Sequence, residues 1–112
     1  MVSVIVPVLN EALNLRPCLA PALAVVENVE VIVVDAGSRD GSADLARALG
    51  ATVLVSPISQ RAAQMNLGAQ AATGEVLVFL HADTVLPADW LDSLRRELLR
   101  RPEAVGGVFR RR

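Results

Sequence analysis

The chain has 112 residues, 11 basic and 12 acidic side chains, 53% hydrophobic residues and a mean hydropathy of +0.44. That balance excludes a disordered tail, and the length suits one domain with one core. Every basic side chain is arginine, which excludes a P-loop lysine, a Schiff base and a kinase-type phosphate lysine.

The first element is Val2–Val8, a β-branched run that reads as a buried strand. Asn14 can cap a helix over Leu15–Val26; Pro17 is tolerated in its first turn, whereas Pro21 predicts a short or kinked helix. Cys18 is the single cysteine, so there is no disulfide framework, and it reads as a small core residue. Val29–Val34 is the second strand. Asp35 to Ser42 is a turn, and Asp40 or Ser42 can cap a helix that runs to Leu49 and is closed by Gly50.

Thr52–Val55 is a short third strand, and Ser59 can cap a helix to about Ala72, ended by Gly74. Glu75–Leu80 is the fourth strand, followed by His81-Ala82-Asp83-Thr84. Pro87 opens a last helix, Ala88–Arg101, stopped by Pro102. Ala104–Phe109 reads as a fifth strand weakened by Gly106 and Gly107. Residues 1–94 hold four arginines against ten acids, a net of −6, and residues 95–112 hold seven against two, a net of +5. The tail reads as a solvated helix face plus a strand end. No aromatic platform interleaves its arginines, so nucleic acid is not an expected partner.

The apolar excess is aliphatic, with 17 Val, 17 Ala and 16 Leu against Phe79, Phe109 and Trp90. Val-rich runs separated by helices imply an α/β three-layer sandwich with a mainly parallel sheet and right-handed crossovers. No apolar run approaches the roughly 20 residues that span a bilayer. No basic n-region precedes the first strand. The default compartment is therefore the cytoplasm, with peripheral membrane contact left open.

Ligands of such sheets bind beyond the carboxyl ends of the strands. Three polar clusters fall there: Asn10 and Glu11, Asp35 to Ser38, and His81 with Asp83. If the chain stays extended, His81 and Asp83 point to one side and can hold a divalent ion against substrate phosphates; the alternative is a turn cap and a packed loop histidine. Asp35 can accept from a ribose hydroxyl or a base N–H, Gly37 admits a close backbone approach, and Ser38 can donate; the alternative is an Asx-type turn. Arg61, at the start of the third helix, can clamp a phosphate or face solvent. Gln64 and Asn66 are mid-helix and can be plain surface.

These residues carry a resemblance. Ser3 to Glu11, Glu30 to Ser42, Arg61 to Gly68 and Gly74 to Thr84 resemble, in order and spacing, the N-terminal half of a family 2 glycosyltransferase of the GT-A fold. The Gln64-Met65-Asn66 and Leu80-His81-Ala82-Asp83-Thr84 runs are similar to those of the radical-SAM/selenodomain-associated transferases. The resemblance covers nearly the whole chain. It implies the strand order 3-2-1-4, a nucleotide-sugar donor such as a UDP- or GDP-sugar, Mg²⁺ or Mn²⁺ as cofactor, and inversion at the anomeric carbon.

By that resemblance Pro7, Asn10 and Glu11 surround the nucleoside with Asp35, Gly37 and Ser38. Arg61 and Asn66 lie near the base or diphosphate. His81, Ala82 and Asp83 occupy the family's Asp-x-Asp metal motif, with Asp83 as metal anchor and His81 in place of the first aspartate. Ala36 replaces an aspartate common in the family's turn. The family's catalytic base and acceptor region lie later in the chain, so residues 1–112 are expected to be the donor-binding half, and neither base nor acceptor is assigned. The second reading is a truncated nucleotide-binding module without catalytic activity. A nucleotidyltransferase is disfavoured because no glycine-rich basic loop follows the first strand, and a phosphoacceptor receiver domain because a lysine is lacking.

Overall fold

The computed structural model describes residues 1–100, together with the backbone of two short strands at 104–105 and 108–110. The order is β1 (Val2–Val8), α1 (Ala12–Leu23), β2 (Val29–Asp35), α2 (Ser42–Leu49), β3 (Thr52–Val55), α3 (Arg61–Ala71), β4 (Val76–Phe79), α4 (Trp90–Arg100), β5 (Ala104–Val105) and β6 (Val108–Arg110). The sheet order is β3-β2-β1-β4-β6-β5. The first four strands are mutually parallel, whereas β6 runs antiparallel to both β4 and β5. The expected α/β layering and the 3-2-1-4 order are both present. In place of the single expected fifth strand there are two short antiparallel strands, Ala104–Val105 and Val108–Arg110; residues 101–103, with the expected Arg101 helix end and Pro102 stop, residues 106 and 107, and the arginines at 111 and 112 lie outside the described residues.

Alternation along the strands builds two cores. Val4, Val6 and Val8 of β1 join Leu15, Leu19, Val33, Val78, Trp90 and Leu98 on the α1–α2–α4 face. Ile5, Ile32, Val34 and Leu77 meet α3 on the other. Such strands, buried on both faces, read as continuous apolar runs. On the second face α3 comes very close to the sheet at Gly68, where a Cβ would lie 2.5 Å from Ile5 Cγ2.

Three caps differ from expectation. α1 begins at Ala12, three residues earlier than the Asn14 cap implies, and the Asn14 amide instead donates to Glu11 Oε2 at 2.8 Å. The first N–H groups of this helix are met from α2's loop: Glu11 N–H donates to Ser42 Oγ at 3.0 Å and Ala12 N–H to Asp40 Oδ2 at 3.0 Å. α2 starts after a left-handed Gly41 (φ 84°), although Asp40 Oδ1 still takes the Ser42 N–H at 3.0 Å. α3 starts after Gln60 with no side-chain cap, so Ser59 does not serve.

α1 continues through both prolines. Pro17 and Pro21 lie off the buried Leu15–Cys18–Leu19–Ala22 stripe, so the carbonyls they leave unpaired can reach water. The Pro21 carbonyl accepts the Trp90 indole N–H at 3.0 Å, which ties α4 to the end of α1.

Candidate functional site

The carboxyl ends of β1, β2 and β4 bring the three polar clusters to one edge. The first two interlock. Asn10 adopts a left-handed φ of 54°; its N–H donates to Ser38 Oγ at 2.8 Å and its Oδ1 accepts Arg39 N–H at 2.8 Å. Asp35 is 3% exposed and closes an Asx-type turn: Oδ2 accepts Gly37 N–H at 3.0 Å and Ser38 N–H at 2.9 Å, and Oδ1 accepts the Ser38 hydroxyl. Gly37 sits at φ 91°, which explains glycine there. Asp35 and Ser38 therefore shape this loop through their own bonds, and the Ser38 proton is already given to Asp35. Glu11 is the residue before α1 and is bonded to Asn14.

The third cluster is a turn and not an extended segment: Thr84 N–H donates to the His81 carbonyl at 2.9 Å. The chain does not stay extended here, yet the turn itself brings His81 Nδ1 to 2.5 Å from Asp83 Oδ1. Ala82 is 2% exposed and belongs to the core beneath the turn; its side chain faces away from the edge, so only its backbone can meet a ligand. The Cys18 thiol, buried in α1, sits 3.5 Å from the His81 carbonyl. Its pKa is pushed up to about 11, first by burial and then by the Asp83 and Glu11 charges.

Arg61 reaches this turn from the start of α3, with Nη2 at 2.6 Å from His81 Nε2. A cavity of about 240 Å³ between Pro7, Arg61, Met65, Phe79, Leu80 and His81 adjoins a wider one of about 630 Å³. Arg61, Met65 and Phe79 line both, and Asn66 lines only the wider. Pro7, Arg61 and His81 are thus brought together; Asn66 is exposed further along α3.

Gln64 is more structural than its mid-helix position suggests. It is 5% exposed, and its amide donates to the carbonyls of Val8 (3.1 Å) and Val34 (2.9 Å), which pins α3 to the carboxyl ends of β1 and β2. The signal available in the sequence was its place four residues before Gly68, on the face that packs against the sheet.

Among the described residues no group of three or more His, Cys, Asp or Glu side chains is arranged to hold a metal. The Asp83–His81 pair is the candidate, with the Asp83 side chain 63% exposed. Mg²⁺-type cations are commonly held by one or two carboxylates plus substrate phosphates. An incomplete protein donor set therefore fits a cation that arrives with a diphosphate. No helix among the described residues is long and apolar enough to cross a membrane.

The family model described as "Glycosyl transferase family 2" matches residues 3–112. The chain is 35% identical over 100 residues to the glycosyltransferase AglE of Haloferax volcanii, covering 81% of this chain and 33% of that protein. It superposes with a TM-score of 0.78 on the Pyrobaculum calidifontis mannosyltransferase PcManGT in complex with GDP-Man and Mn²⁺, at 29% identity over 87% of this chain and 32% of that one. A Mycobacterium tuberculosis glucosyl-3-phosphoglycerate synthase, in complex with Mn²⁺, UDP and glucosyl-3-phosphoglycerate, matches with a TM-score of 0.70 at 27% identity, covering 88% and 39% of the two chains. The chain spans about a third of the length of AglE and PcManGT.

Proposed function

The chain belongs to glycosyl transferase family 2, and from that membership we propose that it binds a nucleoside-diphosphate sugar, a UDP- or GDP-sugar, as the donor half of an inverting glycosyltransferase. The observation that carries the reading is the convergence at one sheet edge of a prebuilt loop pair (Asn10 with Asp35 to Ser38) and a charged group (Arg61, His81, Asp83). The loop pair suits the nucleoside. The guanidinium of Arg61 suits the diphosphate, which its planar fork can clamp through two oxygens. The Gln64-Met65-Asn66 and His81-Ala82-Asp83 runs favour the radical-SAM/selenodomain-associated branch.

In sugar transfer an acceptor oxygen attacks the anomeric carbon, and the bond to the diphosphate oxygen breaks. Negative charge grows on the leaving diphosphate, and Arg61 is placed to meet it electrostatically. Asp83, with His81 against it, would hold a divalent cation, Mg²⁺ or Mn²⁺; such an ion supplies Lewis-acid neutralisation of that charge. PcManGT and the mycobacterial synthase each carry Mn²⁺ in complexes with donor or product.

A second reading is donor binding without turnover. Glu11 bonds Asn14, Asp35 bonds its own loop and Asp40 bonds the start of α1, so each is committed to the framework and none is assigned as a general base. Calorimetry separates the possibilities. UDP or GDP binds more tightly with Mn²⁺ than with EDTA, and Asp83→Ala removes the difference. Nucleotide binding indifferent to metal would overturn the site assignment. Turnover of a sugar nucleotide by the 112-residue chain would instead reject the binding-only reading.

A further inference from the structure

Arg61, His81 and Asp83 form a chain of contacts in which the imidazole stands between a cation and an anion. Arg61 Nη2 lies 2.6 Å from Nε2, and Asp83 Oδ1 lies 2.5 Å from Nδ1. A guanidinium has donors only, so Nε2 must offer its lone pair. A carboxylate oxygen at 2.5 Å from Nδ1 requires a proton between them, since two lone pairs would otherwise face each other. The Asp83 N–H also approaches Nδ1, but at 3.5 Å, the outer limit of a hydrogen bond; the shorter contact decides. A doubly protonated ring would set an N–H and a positive charge against Arg61. One assignment satisfies both short contacts and gives up only the 3.5 Å approach: the neutral Nδ1–H tautomer.

The backbone under this chain is fixed. Leu80 N–H donates to the Ile5 carbonyl at 2.9 Å, Thr84 N–H closes the turn, and Ala82 is buried in the core. Only the side chains of 81 and 83 have freedom, and they hold each other. Both imidazole nitrogens are engaged, so neither is open to a metal while Arg61 stays in place. Asp83 has one oxygen held by His81, and among the described residues nothing bonds the other.

We propose that His81 is a positioning residue: Arg61 and Asp83 hold it as the Nδ1–H imidazole, and it aims the Asp83 carboxylate as the single protein ligand offered to a divalent cation that arrives with a nucleoside diphosphate. The last clause rests on the donor-binding reading above; the tautomer does not. Partners of this kind, bonded to a metal-ligating group, fix its orientation and are worth a large share of metal affinity.

His81 is the only histidine in the chain, so its ring nitrogens can be read without assignment. In ¹⁵N-histidine NMR of the metal-free protein, well above the ordinary imidazole pKa, the Nδ1–H tautomer is expected. The Arg61→Ala/Asp83→Ala double variant should revert towards the Nε2–H form favoured by free imidazole. An Nε2–H or exchange-averaged ring in the wild type would overturn the positioning role, whatever the metal does.

The second arm uses Mn²⁺ with UDP or GDP as probe. Electron spin-echo spectra should show no directly coordinated nitrogen. His81→Asn, whose amide N–H can stand in for Nδ1–H, should keep Mn²⁺ affinity within about threefold, while His81→Ala loses about tenfold. A coordinated nitrogen, or His81→Asn as weak as His81→Ala, overturns the proposal. Absence of any Mn²⁺ binding with either nucleotide overturns the metal reading and this last clause with it, and leaves the tautomer result to stand or fall alone.

Discussion

Two halves of one sheet edge are built in opposite ways. The loops after β1 and β2 are locked by backbone N–H groups donating to Asn10, Ser38, Asp40 and Ser42 across the chain and to Asp35 within its own turn. The turn after β4 presents side chains to solvent, joined to α3 by the Arg61–His81 contact. The first half holds its shape without a ligand. In the second, Arg61 and Asp83 each contact the exposed His81 ring, an arrangement that suits the anionic ligand proposed above. Mutations in the first half should therefore act on stability, and mutations in the second on binding.

The largest expected effect is Asp35→Ala. It leaves the Gly37 and Ser38 N–H groups without their buried acceptor and should lower unfolding free energy by about 3 kcal/mol in urea titration. An equal loss from Asp83→Ala would erase the distinction between the halves. Asn10→Ala follows, at about 2 kcal/mol, because it removes one inter-loop bond and places a less tolerant residue at positive φ. Arg61→Ala should change stability by less than about 0.5 kcal/mol. The same variant should weaken UDP or GDP about tenfold in calorimetry, near 1.4 kcal/mol.

The smallest effect concerns pH. Burial pushes the Glu30 pKa up, but the Ser3 hydroxyl and the N–H groups of Thr73 and Gly74 outweigh it and hold it below its ordinary 4.5. The Ser42 hydroxyl and the Ala12 N–H hold Asp40 below 3.8. A depressed carboxyl stabilises the fold above its unfolded pKa, and that contribution is lost as pH falls through the folded value. Acid unfolding should accordingly steepen below about pH 4.5. Glu30→Gln should flatten that slope; an unchanged slope would remove Glu30 from the acid response.

The Glu30 network also explains Gly74. The Gly74 N–H donates to Ser3 Oγ at 2.8 Å, and an added Cβ would lie 2.5 Å from that oxygen and 2.8 Å from the Met1 carbonyl. In the sequence this glycine reads only as a helix stop. Its second role, close approach to the amino end of β1, exists only once β1 and β4 are adjacent.

The local pattern determined most of the fold. Runs such as Val29-Glu-Val-Ile-Val-Val34 alternate with helical segments, and their apolar faces can be buried only in a layered parallel sheet. It also placed the polar clusters at one edge, because Asn10, Asp35 and Asp83 each come at or just past the end of an apolar run. What the tertiary structure decided was where hydrogen-bonding valences end. Asn14 and Ser59 look like caps, yet α1 is capped by Asp40 and Ser42, some 28 and 31 residues away. Gln64 looks like surface, yet it bonds two strand carbonyls. Ala82 sits between His81 and Asp83 and packs in the core, and His81 meets Asp83 through a turn and Arg61 through a neighbouring helix. Periodicity is a property of successive residues, so sequence carries it. A donor's partner is whichever acceptor the folded chain brings within about 3 Å, and only the assembled layers fix that.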